Sequence, residues 1–215
     1  MGAKTCMLVY TASNAREALA VKPRLDREVT RQIAGILFPD EKLEPIGEVA
    51  LTHAHPPDHE VYMGCFPGVL FVAAREFGLD RPSTLPRRFI DAGGSGTVIL
   101  HAMHSAVDWF AYAIWRDGKI VRSLSLSPDS GILENIGERL PFEEPYWSGK
   151  FPALDGDEPN MDYPFPFHPM ELGEAALKDQ FGYQIEGCVD ASLLDPDSIP
   201  LIRYKRPPSP RPKAW

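Results

Sequence analysis

Four residues that can bind a metal ion lie within seven positions of one another. The segment from Thr52 contains His53, His55, Asp58 and His59. Neutral imidazoles and a carboxylate are the ligands that Zn²⁺ takes in catalytic sites, where an open coordination position holds an activated water molecule. This composition suggests a metal-dependent hydrolase, with zinc as its cofactor.

The spacing of these residues argues against a zinc site. Their order is similar to the His-x-His-x-Asp-His motif of the metallo-β-lactamase family, but Pro56 and Pro57 place one residue too many between His55 and Asp58. Proline fixes its own φ angle and restricts the preceding residue, so the backbone cannot easily absorb the extra position. We therefore predict a polar, exposed loop and no cofactor, and keep the zinc hydrolase as the alternative.

A second group of reactive residues follows in sequence, formed by His101, His104, Ser105 and Asp108. These are the residue types of a serine hydrolase triad, but such triads are recognised by converging geometry and not by closeness in sequence. Because His101 lies in an apolar segment, we predict a hydrogen-bonded core histidine and no catalytic role.

The segment 108–127 is predicted to form a β-hairpin. Asp117 and Gly118 are the favoured central pair of a type I′ turn, in which both residues have positive φ. A two-residue loop pairs Arg116 with Lys119 and Trp115 with Ile120. A rival prediction is a helix over residues 106–115, because Ser105 and Asp108 fit a capping box.

Extending that pairing along the two strands places an aromatic row opposite a serine row. One face then carries Asp108, Phe110 and Tyr112 opposite Ser127, Ser125 and Ser123. Such a face is either covered by a helix or forms the wall of a ligand groove, since aromatic rings and hydroxyl groups are common in small binding sites. We take these six residues as the candidate ligand-binding residues.

The remaining patterns predict an α+β fold. Residues 4–11 and 97–103 are apolar enough for buried strands, and residues 60–74 form a second hairpin around a Phe-Pro-Gly turn. Helical spacing of apolar residues predicts helices over residues 26–37 and 171–181. We expect an antiparallel sheet flanked by two or three helices.

Proline dominates the C-terminal part of the chain. Residues after Ser127 and up to residue 169 are rich in turn-forming residues and predict a long surface wrap. Residues 203–215 contain five basic residues and four prolines, which indicates a flexible tail. The predicted organisation is a single domain over residues 1–202, followed by this tail.

Composition limits the partners of the protein. A net charge of −8 argues against nucleic acid as the main partner. No apolar run approaches the roughly 20 residues that span a bilayer, so no membrane partner is expected. Three scattered cysteines do not suggest a disulfide framework, which favours a reducing cytoplasm.

Several segments together resemble an actinobacterial family known only as a domain of unknown function. The resemblance rests on MGAKTCMLVY at the start, MGCFPG at 63–68, LHAMHSAVDWFAYAIWRDGKIVRSLSLSPDSGILENIGERLPFEEPYW at 100–147, and PFPFHPMELGEAAL at 164–177. It covers nearly the whole chain and implies a small cytoplasmic bacterial protein. It implies no catalytic residue.

Function does not follow from these residues alone. Our leading hypothesis is a non-enzymatic binding or interaction module for a protein or small-molecule partner. The alternative is the metal-dependent hydrolase that uses His53, His55, Asp58 and His59.

Overall fold

The computed structural model describes residues 2–153, 163–187 and 190–207. In these residues nine strands form one sheet: β1 (Lys4–Thr11), β2 (Glu44–Ala50), β3 (Glu60–Phe66), β4 (Val69–Ala73), β5 (Thr97–His104), β6 (Trp109–Arg116), β7 (Lys119–Ser127), β8 (Gly131–Ile136) and β9 (Pro200–Lys205). The helices are α1 (Ala15–Ala20), α2 (Arg27–Leu37), α3 (Arg87–Asp91), α4 (Glu144–Trp147) and α5 (Pro169–Phe181).

The sheet is antiparallel throughout its strand pairs, with β1 at its centre. The strand order is β2-β9-β3-β4-β1-β5-β6-β7-β8. β1 pairs with β4 on one side and with β5 on the other. The predicted α+β class and antiparallel sheet are confirmed.

Both faces of the sheet are covered, as alternate residues of β1 show. Met7 and Val9 belong to one apolar core, whereas Cys6 and Leu8 belong to the other. Successive side chains of a strand point to opposite faces, so β1 is buried on both sides. Helices α1 and α5 pack on the first face, and α2 and α3 pack on the second.

The ends of the two predicted helices have clear local causes. The Asp26 side chain accepts a hydrogen bond from the Val29 amide at 3.0 Å and caps the start of α2. Gly182 ends α5 with a φ of 79°, the left-handed conformation that glycine adopts at helix ends. Both helices are confirmed, although α5 begins two residues earlier than predicted, at Pro169.

The central hairpin is confirmed, and its predicted register holds for the two residue pairs next to the turn but not beyond them. Asp117 and Gly118 have φ angles of 50° and 70°, as a type I′ turn requires. Beyond the turn, Ile114 pairs with Arg122 and Trp115 pairs with Ile120, which leaves Val121 as an extra residue. This β-bulge shifts the rest of β7 by one position.

A shift of one residue moves every later side chain of β7 to the opposite face of the sheet. Tyr112 therefore lies opposite Leu124 and Phe110 lies opposite Leu126. Ser123 and Ser125 face the other core instead, where the Ser125 hydroxyl accepts a hydrogen bond from the indole of Trp109 at 3.2 Å. The predicted aromatic row opposite a serine row does not exist.

Two strands lie where the sequence predicted a wrap and a tail. β8 forms after Ser127 and is an edge strand of the sheet. β9 includes residues 203–205, and Arg206 forms ion pairs with Glu41 and Glu76. The start of the flexible tail at residue 203 is therefore wrong, because β9 pairs with both β2 and β3. Residues 154–162 of the predicted wrap and 208–215 of the predicted tail lie outside the described residues.

The hairpin turn gives a direct test of the backbone assignment. A valine Cβ at Gly118 would meet no atom closer than 3.6 Å, so its cost is the positive φ alone. We expect Gly118→Val to destabilise the fold by about 1–3 kcal/mol, measured by thermal or urea unfolding. Gly118→Asn is the control, since asparagine tolerates this conformation and should cost much less. Equal stability of the valine variant and the wild type would contradict the turn assignment.

Candidate functional site

The histidine-rich loop is organised by Arg75, a residue from a different part of the chain. The guanidinium of Arg75 donates from Nη1 to His55 Nε2 at 2.7 Å. Its Nε lies 3.3 Å from Asp58 Oδ1. Two of the four proposed metal ligands therefore contact the same cation.

This arrangement does not fit a zinc site. The nitrogen of His55 and the carboxylate of Asp58 that a metal would need are both used by a guanidinium. His59 points toward Glu60 instead, with 3.8 Å between Nε2 and Oε1. In the part of the chain that the structure describes, no three His, Cys, Asp or Glu side chains are grouped closely enough to hold a metal ion.

The expectation of a fully exposed loop is correct only in part. His53 and Asp58 are exposed, but His55 is half-buried. Burial, the nearby charges of Arg75 and His104, and the charge of Lys4 lower the pKa of His55 to about 4. His55 is therefore neutral near pH 7, and because Nε2 accepts from Arg75, its proton lies on Nδ1.

A cleft opens beside this loop, and we call it the cationic cleft. Its volume is about 480 Å³, within the range of small-molecule sites. Its walls are formed by Gly2, Ala3, Lys4, Val49, Thr52, His53, His55, Tyr62, Ile185 and Arg203. These residues come from the first strand, the loop before β3, strands β2, β3 and β9, and the segment that follows α5.

Two residues that line the cleft, Lys4 and Arg203, carry a positive charge. Lys4 forms no ion pair with any described residue, and it lies at the start of β1 opposite His104. Arg203 is also cationic, but its guanidinium binds the Glu60 carboxylate through two contacts of 2.8 and 3.0 Å. The Thr52 hydroxyl donates to Asp197, so it can offer only its lone pairs. None of the cleft residues carries a carboxylate.

The six residues predicted to bind a ligand are not in this cleft. Phe110 and Tyr112 lie in the core under α5, and Ser123, Ser125 and Ser127 are also buried. Asp108 is the exception, with 41% of its side chain exposed, and its carboxylate lies 3.6 Å from His168 Nε2. The aromatic face is therefore covered, which was the alternative left open for this hairpin.

Tyr112 belongs to a buried polar cluster that the sequence did not predict. The fully buried Arg122 donates to Glu143 from Nε at 2.9 Å and from Nη2 at 2.7 Å. The Tyr112 hydroxyl donates to the same carboxylate at 2.5 Å. Asn135 and three backbone carbonyls accept from Nη1 of Arg122, and the Tyr112 hydroxyl also accepts from its Nε at 3.1 Å. Such complete pairing is what a buried charge requires, and it indicates architecture.

His101 is a core histidine, as predicted. Its Nε2 donates to the carbonyl of Gly173 at 3.0 Å, so Nδ1 accepts from the Thr5 hydroxyl at 2.8 Å. Burial lowers the pKa of His101 to about 4 and keeps the ring neutral. The ring therefore links β1 and β5 to α5.

Sequence reasoning found two residues of the cleft, His53 and His55, and missed the rest. Lys4 and Arg203 are nearly 200 positions apart, and only the strand order brings them to one end of the sheet. The one available signal was the position of Lys4 at the start of a buried strand. No local motif contains Arg203 or Tyr62.

Comparison with known proteins identifies the family. A family model described as "Family of unknown function (DUF6928)" matches residues 5–204. The chain belongs to this family. No curated protein and no solved structure matches the chain.

Among the described residues of this DUF6928 protein, no helix is both long enough and apolar enough to cross a membrane. The match includes the cleft residues from Val49 to Arg203, whereas Gly2, Ala3 and Lys4 lie just before the matched range.

Truncation of Tyr112 tests whether the aromatic face of the hairpin is covered or forms an open groove. We expect Tyr112→Ala to lower the free energy of unfolding by about 3–5 kcal/mol, because a large aromatic side chain leaves a core cavity. Tyr112→Phe keeps the ring and removes one donor to Glu143, and should cost about 1–3 kcal/mol. Chemical denaturation measures both changes. A near-wild-type Tyr112→Ala protein would restore the groove hypothesis.

Proposed function

We propose that the protein is a non-enzymatic binding module whose cationic cleft takes a small organic anion. The observation that carries this proposal is that Lys4, which forms no ion pair with any described residue, lines a cleft whose lining residues include no carboxylate. The ligand class is a molecule with a carboxylate or phosphate group on a partly apolar body.

Electrostatics support an anionic ligand. The chain as a whole carries a net charge of −8, so most of its surface repels anions. A local positive site in such a protein concentrates negatively charged ligands where the walls exclude water. Lys4 supplies the charge, and the imidazoles of His53 and His55 supply N–H donors next to it.

The walls of the cleft support a ligand with an apolar part. Val49 and Ile185 contribute aliphatic surface, and Tyr62 contributes an aromatic ring. The Tyr62 hydroxyl shares the Glu60 carboxylate with Arg203, and burial and that carboxylate raise the pKa of Tyr62 to about 12. Tyr62 therefore stays neutral and presents its ring as a contact surface.

Geometry gives the zinc hydrolase little support, because Arg75 occupies the space between His55 and Asp58. We also propose a cytoplasmic location. The free thiols of Cys6 and Cys65 support it, since reduced cysteines are typical of that compartment.

Calorimetry with a simple probe tests the proposed ligand class. We expect phenyl phosphate to bind and benzyl alcohol, its neutral counterpart, not to bind measurably. Lys4→Met should weaken phenyl phosphate binding roughly 10- to 100-fold, as expected for one lost charge-assisted hydrogen bond.

Lys119→Met is the matched control, because Lys119 is also the first residue of a strand but lies outside the cleft. It removes the same charge from the protein and should leave affinity unchanged. Equal losses in the two variants, or no binding by the wild type, would contradict the proposed function. Stoichiometric zinc in protein purified without a histidine tag would favour the hydrolase instead.

A further inference from the structure

Ile185 lines the cationic cleft and lies in the segment of residues 184–187, whose amides at residues 185 and 186 bond to one buried side chain. The Ile185 amide donates to Glu174 Oε2 at 2.8 Å, and the Glu186 amide donates to Glu174 Oε1 at 3.2 Å. Glu174 lies on α5 and is only 8% exposed. Ile185, the first residue it holds, lines the cleft.

The Glu174 carboxyl has no cation to balance its charge among the described residues. The groups that interact with it electrostatically are the neutral Tyr146 of α4, Tyr183, and the carboxylate of Glu186. A buried carboxylate without a cation pays for lost hydration, and a neighbouring carboxylate adds repulsion. Ionisation of Glu174 therefore favours a state in which the carboxyl reaches water.

Other titratable groups near α5 do not change this balance. Arg16 of α1 lies against Gly182, two turns away along the helix. His101 of β5 contacts the carbonyl of Gly173 and is neutral near pH 7.

We propose that Glu174 is a positioning residue that keeps the backbone at residues 185 and 186, and with it the Ile185 wall of the cleft, in place, firmly when protonated and loosely when ionised. The consequence for binding rests on the function proposed above. The two amides are hydrogen-bonded to the carboxyl, so a carboxyl that moves toward water gives up these two contacts. The released segment then takes Ile185 away from the cleft.

The direction of the pH dependence follows from burial. Burial raises the pKa of Glu174 from 4.5 to about 7. The two amide hydrogen bonds oppose this rise, and the nearby Glu186 adds to it. The pKa of this carboxyl is higher when it is buried against the two amides than when it is in water. The buried arrangement is therefore stabilised at low pH, and this stabilisation is lost as pH rises through the raised pKa. The wall is therefore firm below about pH 6 and loosens above about pH 7.

Amide hydrogen exchange of the full chain without ligand tests the positioning role directly. In the wild type, we expect Ile185 and Glu186 to lose protection as pH rises from 6 to 8.5. Glu174→Gln cannot ionise and keeps one acceptor oxygen, so protection of the one amide that it holds should stay level with pH and exceed that of the wild type about tenfold at pH 8.5. Glu174→Ala lacks both acceptors and should leave the two amides unprotected at every pH.

Glu171→Gln is the matched control, since Glu171 is exposed and lies one turn earlier on the same helix. It should exchange like the wild type. Identical pH profiles for Glu174→Gln and the wild type, or the same change in Glu171→Gln, would overturn the proposal.

Affinity for phenyl phosphate tests the link to the cleft. The ratio of Glu174→Gln affinity to wild-type affinity should be near one at pH 6 and exceed one at pH 8.5. Because the probe titrates equally in both measurements, its own ionisation cancels in this ratio. A constant ratio, with the expected exchange behaviour, would show that the segment moves without serving the cleft. If no variant binds the probe, the proposed function is contradicted, but the proposed role of Glu174 is not. That role is then decided by the exchange data.

Discussion

The contact of one guanidinium with His55 and Asp58 of the histidine-rich loop determines what this loop can bind. Arg75 comes two positions after the end of β4 and contacts both His55 and Asp58. It supplies, as a fixed cation, the positive charge that a metal would bring to such a loop. His55 accepts a hydrogen bond from this cation and is neutral near pH 7, and Lys4, which lines the same cleft, forms no ion pair with any described residue. Residues of an apparent metal motif thus form part of the wall of the cleft that we propose as an anion site.

Much of the fold could be predicted because its patterns are local. β1 and helices α2 and α5 follow from apolar spacing and capping residues, and the type I′ turn follows from Asp117 and Gly118. The bulge at Val121 could not be predicted, because its cause is tertiary. It turns Arg122 toward Glu143 and Ser125 toward Trp109. A pattern of alternating residue types in a strand does not reveal these contacts.

The cleft was less predictable than the fold for the same reason. Its histidines stand out in sequence, but their partners come from distant strands. β9 inserts between β2 and β3, so Arg203 reaches Tyr62 and Glu60 only through sheet topology. The basic residues near the C-terminus seemed to be a mobile tail because four prolines follow them. In the structure, three of these residues complete the sheet or its ion pairs.

Backbone amide chemical shifts, followed by NMR during titration with phenyl phosphate, test most directly whether the cationic cleft is the binding site. We expect saturable shifts grouped at Lys4, at residues 52–55 and at Arg203, with little change at the hairpin turn around Gly118. Shifts that are absent, that do not saturate, or that map to another surface would contradict the assignment of this cleft as an anion site.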